Sequence, residues 1–263
     1  MLLLVDAGNT RIKWAVADAN PATPLAQWHG AGSVVHGQIA SLASSWAAFD
    51  FSRVLLSNVA GAAVRAGLES ILAARGLHPE WQASLAQLAG IRNGYRQPTQ
   101  LGSDRFYSSI GAHALYPDTA LMVVTCGTAT TVDAISADGV FRGGLILPGF
   151  GLMAGALARN TAQLPQVEAN GEGLLFADNT EEAIIAGCMA AQAGAIERAW
   201  AGFLREHGSG SVQSAVLCPV SCLVSGGAGA AVAAHLAIPH RHVDNLVLPG
   251  LQTAAYLTTP PSH

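Results

Sequence analysis

The sequence predicts an α/β protein made of two similar halves, and three observations carry that prediction. Short apolar strands alternate with helical stretches along the chain. A hairpin turned on a small-residue loop opens the sequence and returns after a Pro117-Asp118 break. Hydrophobic residues fill 51% of the 263 positions and charged ones 11%, which is enough apolar surface for a packed core in each half.

Leu2 to Asp6 reads as a buried strand and Arg11 to Ala17 as an alternating one, with Gly8-Asn9-Thr10 as the turn between them. A helical stretch near Ile39 to Phe51, a strand from Arg53 to Val59 and a helix near Ala62 to Arg75 follow. Another helix opens at Asp104 and runs to about Leu115. Beyond the break, strands Leu121 to Thr125 and Thr130 to Ser136 flank Gly127-Thr128-Ala129.

Laid over one another, LVDAGNTRIKWAVAD from Leu4 and VVTCGTATTVDAISAD from Val123 bring Gly8 and Gly127 into corresponding turns. This is a two-copy repeat of pattern rather than of identity. It predicts two domains, 1–117 and 118–263, facing each other across a cleft. The second half continues with a strand from Val140 to Leu147, a Pro148-Gly149 turn, and helices near Phe150 to Thr161 and Thr180 to His207. Asn179, ahead of Glu181-Glu182, is the expected N-cap of the last helix. The strand Cys222 to Ser225 runs into Gly226-Gly227-Ala228-Gly229, where bare backbone lets a ligand lie close to amides.

Composition narrows the function classes. No apolar run reaches the ~18 residues of a membrane span, because Asp6, Arg11, Asp104 and Asp133 interrupt the candidates. The opening MLLLV is too short for a signal peptide, so a soluble cytoplasmic protein is expected. A net charge of −4 without a basic run argues against a nucleic-acid partner. Cys126, Cys188, Cys218 and Cys222 lack CxxC spacing, and the apolar company of Cys126 and Cys188 suggests buried thiols rather than zinc ligands. His240 and His242 alternate as in a strand.

Asp6-Ala7-Gly8-Asn9-Thr10 lies between two strands and so is not a P-loop, which needs a strand-to-helix turn. Gly8 permits close backbone approach, Asn9 and Thr10 supply donors, and Asp6 at the strand end suits Mg²⁺ held through water. Lys13 is the single lysine among 13 Lys and Arg residues, and a compact ammonium suits a crowded phosphate better than a guanidinium fork. In Leu101-Gly102-Ser103-Asp104-Arg105, Asp104 reads either as a helix cap or as a base accepting a hydroxyl proton, with Arg105 binding a substrate anion. Residue chemistry alone leaves those two readings open.

Taken in order and with these separations, DAGNT with Lys13, LGSDR, CGTATTVD, GGLILPG and VSGGAG resemble the type III pantothenate kinases over essentially the whole chain. The resemblance implies two ribonuclease-H-like domains of the acetate and sugar kinase, heat-shock ATPase and actin superfamily. It also implies phosphorylation of pantothenate by ATP, the first step of coenzyme A synthesis. On that resemblance Asp6 organises Mg²⁺, and Gly8, Asn9, Thr10 and Lys13 handle phosphate. Gly127, Thr128, Ala129 and Thr130 match the family's second phosphate loop, and Asp104 its base. Tyr95, Gly102, Ser103, Arg105 and Thr180 match pantothenate-contacting positions, Thr180 coming from the partner of a homodimer. Family members commonly place an aspartate where this chain has Thr125, which puts activation by K⁺ or NH₄⁺ in doubt. The rival readings are an accessory protein that keeps the fold without the activity, and a related kinase acting on another small acid or sugar. Intact Asp6, Lys13 and Asp104 weigh against the first.

Overall fold

The computed structural model describes residues 1–168, 175–207 and 219–258. The chain divides into two compact units, one of Met1–Pro117, Gly139–Phe141 and the chain from Asn245 onward, the other of Asp118–Asp138 and Arg142–Asp244. The chain first passes from one unit to the other between Pro117 and Asp118, and Asp118 takes a left-handed φ of 55°.

In the first unit β1 (Leu2–Ala7), β2 (Arg11–Ala17), β3 (Gly30–Val35), β4 (Arg53–Asn58) and β5 (Glu80–Trp81) form a sheet in the order β3-β2-β1-β4-β5. β1 is antiparallel to β2 and parallel to β4. Its alternate residues Leu3, Val5 and Ala7 join Ile12, Trp14 and Val16 of β2 in a core completed by Leu42, Trp46, Phe51, Leu68 and Leu72. The helix expected near 39–51 is shorter: a 3₁₀ segment, His36–Ser41, is kinked at Gln38 and then leads into α1 (Leu42–Trp46). α2 (Ala62–Ala73), the short strands β6 (Gln87–Leu88) and β7 (Ile91–Asn93), and α3 (Ser103–Leu115) follow.

The second unit repeats this plan strand for strand. β8 (Ala120–Cys126), β9 (Ala129–Ile135), β10 (Val140–Pro148), β11 (Val220–Ser225) and β12 (Arg241–His242) lie in the order β12-β11-β8-β9-β10. β8 is antiparallel to β9 and parallel to β11, as β1 is to β2 and β4. α4 (Phe150–Asn160), α5 (Thr180–His207) and α6 (Gly229–Ala233) complete the unit. Asn179 caps α5 as expected, its Oδ1 accepting the Glu182 amide at 3.0 Å. Cys126, Cys188 and Cys222 are buried free thiols, while Cys218 lies outside the described residues. Burial pushes the Cys126 thiol up to about 11 and the Cys222 thiol up to about 12, so neither is a ready nucleophile.

The sequence reading places 118–263 together, and here the structure differs. α7 (Val247–Leu257) packs against α3 in the first unit. The two helices meet backbone to backbone: a Cβ on Gly111 would collide with the Leu246 carbonyl, and one on Gly250 with the Tyr107 carbonyl. Arg53 ties the far end of α7 to the sheet, donating to the carbonyls of Ala255 at 2.7 Å and Thr258 at 3.0 Å while it pairs with Glu80. Val140 and Phe141, which open β10, pair with Arg92 and Asn93 of β7 and also count with the first unit.

Candidate active site

In the first unit the hairpin register sets three side chains on one face of the sheet. Lys13 of β2 and Ser57 of β4 are the neighbours of Asp6 across β1. The Ser57 and Ser103 hydroxyls are hydrogen-bonded at 2.8 Å, which seats the head of α3 on that face and brings Asp104 toward Asp6. Burial is the main influence on Asp6 and raises its carboxyl from 3.8 to about 6. A hydrogen bond from Asn245 opposes the rise, the Asp104 charge adds to it, and Lys13 opposes it. The Asp104 carboxyl is also raised, chiefly by burial, against the Arg105 amide that donates to its Oδ1 at 2.9 Å.

Asp104 is not the N-cap residue of α3, although its carboxylate takes the Arg105 amide of the first turn. Gly102 holds the N-cap position of α3 with no side-chain cap, and Asp104 lies inside the first turn. A Cβ at Gly102 would lie 2.5 Å from Asp104 Oδ1, so glycine leaves that carboxylate its place.

The loop before α3 is organised by Asn93. Its Nδ2 lies within hydrogen-bond reach of Ser84 Oγ at 3.2 Å and of the carbonyls of Leu85 at 3.2 Å and Pro98 at 3.0 Å. Its Oδ1 accepts the Tyr95 amide at 3.0 Å. Asn93-Gly94 reads as a mobile-looking turn in the sequence, and in the structure Asn93 is a buried anchor. Tyr95, fixed in this way, accepts a 2.8 Å hydrogen bond from Arg105, whose guanidinium also lies 5.7 Å from the Tyr95 ring and 5.6 Å from the Phe141 ring. Arg105 is only 7% exposed, a largely desolvated cation lying against the edge-to-face pair of Tyr95 and Phe141.

In the second unit three turns gather at the carboxyl end of β8. The Gly149 amide donates to the Thr128 carbonyl at 2.9 Å and the Ala228 amide to the Cys126 carbonyl at 3.0 Å. A Cβ on Gly149 would strike the Gly127 carbonyl, and one on Gly226 the Cys126 carbonyl. Gly127 and Thr128 themselves are exposed, but Thr130 departs from expectation. Thr130 is buried with its side chain hydrogen-bonded to the Cys126 thiol, so its hydroxyl is engaged in the core. The reason is strand alternation: Thr130 faces the sheet interior opposite Cys126. Thr180 stands exposed at the head of α5 and lines an apolar groove of about 830 Å³ with residues such as Leu152, Leu157 and Ile184 of α4 and α5.

Asp6 and Asp104 fit the chemistry of a hard-cation site, with Asp6 the carboxylate that would hold the ion. One or two carboxylates completed by water and phosphate oxygens is the coordination Mg²⁺ favours, and the upward push that each feels is what a bound cation would relieve. Thr125 lies opposite Thr131, whose buried hydroxyl has no hydrogen-bond partner, so Thr125 itself would offer a monovalent cation a neutral oxygen rather than a carboxylate.

Sequence reasoning missed Asn93, Phe141 and Asn245, and also His36, whose Nε2 lies 2.9 Å from the Gly8 carbonyl. Asn245 alone left a signal, as an Asn standing just before the apolar run that opens at Leu246.

These two repeated sheets define the class of the protein: a two-domain ribonuclease-H-like fold of the sugar-kinase and actin-like ATPase type. Solved structures agree on the fold. A protein from Sinorhizobium meliloti provisionally assigned as a 2-dehydro-3-deoxygalactonokinase superposes with a TM-score of 0.57 at 16% identity, covering 98% of this chain and 99% of that one. A Campylobacter jejuni protein provisionally assigned to the Baf family of transcriptional activators gives 0.54 at 18% identity over 96% of each chain. The chain belongs to the type III pantothenate kinase family, whose model matches residues 2–202. Type III pantothenate kinases of Herminiimonas arsenicoxydans and Janthinobacterium sp. (strain Marseille) are each 53% identical to it over 99% of both chains. It is a kinase enzyme.

Proposed function

We propose that the protein phosphorylates pantothenate with ATP, giving 4'-phosphopantothenate and ADP, the entry reaction of coenzyme A synthesis in the cytoplasm. Family membership points to this reading, and the observation that carries it is the grouping of Asp6, Lys13 and Asp104 at one end of the first sheet. In this reading Lys13 and the Gly8–Thr10 turn neutralise ATP phosphate, and the Gly127–Ala129 turn is the second phosphate turn of the family resemblance. Asp6 would hold Mg²⁺, which when bound would supply charge neutralisation on the phosphoryl oxygens. Asp104 accepts the proton of the pantothenate primary hydroxyl as its oxygen bonds the γ-phosphorus and the bond to ADP breaks. Arg105 and Tyr95 hold the pantothenate carboxylate.

The two phosphate turns add support through their glycines. A Cβ at Gly8 would lie 3.4 Å from the Arg11 carbonyl and one at Gly127 would lie 3.6 Å from the Ala129 carbonyl, and neither residue has a left-handed φ. The fold tolerates a side chain at both, so close approach of a ligand is the remaining reason for glycine there.

The enzyme acts as a homodimer in this proposal, with Thr180 completing the partner's pantothenate site. The test is ADP release by the purified protein with Mg-ATP, with and without pantothenate. Release that does not depend on pantothenate would sink the reading, and a screen of other hydroxy acids and sugars would then find the acceptor or leave an accessory protein.

A further inference from the structure

We propose that Asn245 is a positioning residue of the kinase centre, orienting the Asp6 carboxylate for the nucleotide-bound metal; this rests on the phosphoryl-transfer reading above. Asn245 precedes α7 and stands 239 residues from Asp6 in sequence. Its Oδ1 accepts the Leu248 amide at 2.8 Å, and its Nδ2 donates to Asp6 Oδ2 at 3.0 Å. The first bond settles the second. A backbone N–H needs an acceptor, so the oxygen of the amide must face α7 and the NH₂ must face the carboxylate. With both ends engaged, the Asn245 side chain has one orientation, and it holds one of the two Asp6 oxygens while the other stays available.

Without such a partner, the last torsion of an aspartate is broad, and the carboxylate at the end of β1 would turn freely. Asn245 removes that freedom and refers Asp6 to a particular body. α7 is packed backbone to backbone on α3 through Gly111 and Gly250, and α3 carries Asp104. A metal-binding carboxylate and the proton acceptor are thereby fixed to the same pair of helices, which holds their separation constant. Partners of this kind to a metal-binding carboxylate typically matter by about 10–100-fold in metal affinity or activity.

A capping role alone is the competing explanation, and variants separate the two. Asn245→Ser keeps an oxygen for the Leu248 amide but cannot reach Asp6. Pantothenate-dependent ADP formation would be followed across a Mg²⁺ titration. ADP binding would be measured by calorimetry in Mg²⁺ and in EDTA, and the melting temperature recorded. The expected result is about a 10-fold or greater fall in kcat and a similar loss of the Mg²⁺-dependent gain in ADP affinity, with the pantothenate KM and the EDTA-state affinity unchanged. Wild-type kcat and Mg²⁺ gain in a folded Asn245→Ser protein would overturn the inference.

Should that variant fail to fold, Asn245→Asp caps as well as asparagine does but sets a like charge against Asp6. Turnover within about threefold of wild type there would also overturn the inference, and a larger loss would uphold it. If wild-type protein releases no pantothenate-dependent ADP, the substrate reading fails, while the Mg²⁺-dependent ADP affinities of wild type and Asn245→Ser still decide the role of Asn245.

Discussion

The Arg105 guanidinium donates a 2.8 Å hydrogen bond to the Tyr95 hydroxyl, and that hydroxyl is itself fixed through the Asn93-bound amide of the same tyrosine. In the proposed reading this buried cation meets the substrate carboxylate. Arg105→Lys loses the fork geometry and is expected to lower kcat/KM for pantothenate by about 100-fold, and Tyr95→Phe by about 10-fold, both mainly through KM. Steady-state kinetics at saturating Mg-ATP measure both, and an unchanged pantothenate KM in Arg105→Lys would exclude Arg105 from the acceptor site.

Asp104→Asn removes the proton acceptor while keeping shape. The expected outcome is a kcat lower by about 10²–10⁴-fold with ADP binding and melting temperature preserved. A single-turnover assay is the check, since it isolates the chemical step from product release.

Asp6 carries a cost in stability. Its folded carboxyl is raised to about 6 from 3.8, so between those values the folded protein holds more protons than the unfolded one, and stability falls as pH rises through that window. Asp6→Asn is therefore expected to stabilise the nucleotide-free protein by about 2 kcal/mol above pH 6, after allowance for solvent screening, and to lose that gain below about pH 4. Denaturation curves at pH 4 and pH 7.5 test the sign. The same variant loses activity, and in the wild type kcat/KM for Mg-ATP falls as pH drops through about 6.

The glycines separate into two groups. Gly8→Ala and Gly127→Ala are expected to leave the melting temperature within a few degrees of wild type while weakening Mg-ATP. Gly250→Ala forces α7 off α3 and is expected to destabilise by about 1–3 kcal/mol. Thermal melts with and without Mg-ATP distinguish a glycine kept for the ligand from one kept for the fold.

With a neutral Thr125 rather than a carboxylate at this position, exchanging K⁺ for Na⁺ at constant ionic strength is expected to change kcat by less than about twofold, because residue 125 adds no charge to attract the ion. A strong K⁺ requirement in the coupled assay would show that other groups complete the site.

Much of the fold was legible because its signals are local. The β1–β2 and β8–β9 hairpins announce themselves through alternation and a small-residue turn, and α5 through Asn179 and its acidic first turn. β3 did not, since Gly-Ala-Gly-Ser-Val-Val at an exposed position shows no apolar alternation. β5, β6 and β7 have two or three residues each, too few for a period. α7 was hidden because Pro249-Gly250 reads as a breaker, although proline is tolerated in a first turn and Gly250 is there for the contact with α3.

By itself, then, the sequence determined the repeated α/β plan, its two small-residue turns and the choice of Asp6, Lys13, Asp104 and Arg105 as candidates, because each lies in a short segment whose period and residue chemistry can be read in place. Tertiary structure decided what those residues meet. It turned the Thr130 hydroxyl into the core, pinned Tyr95 through Asn93, returned α7 to the first unit, and set Asn245 against Asp6. Such pairings join positions tens to hundreds of residues apart, and packing alone selects them.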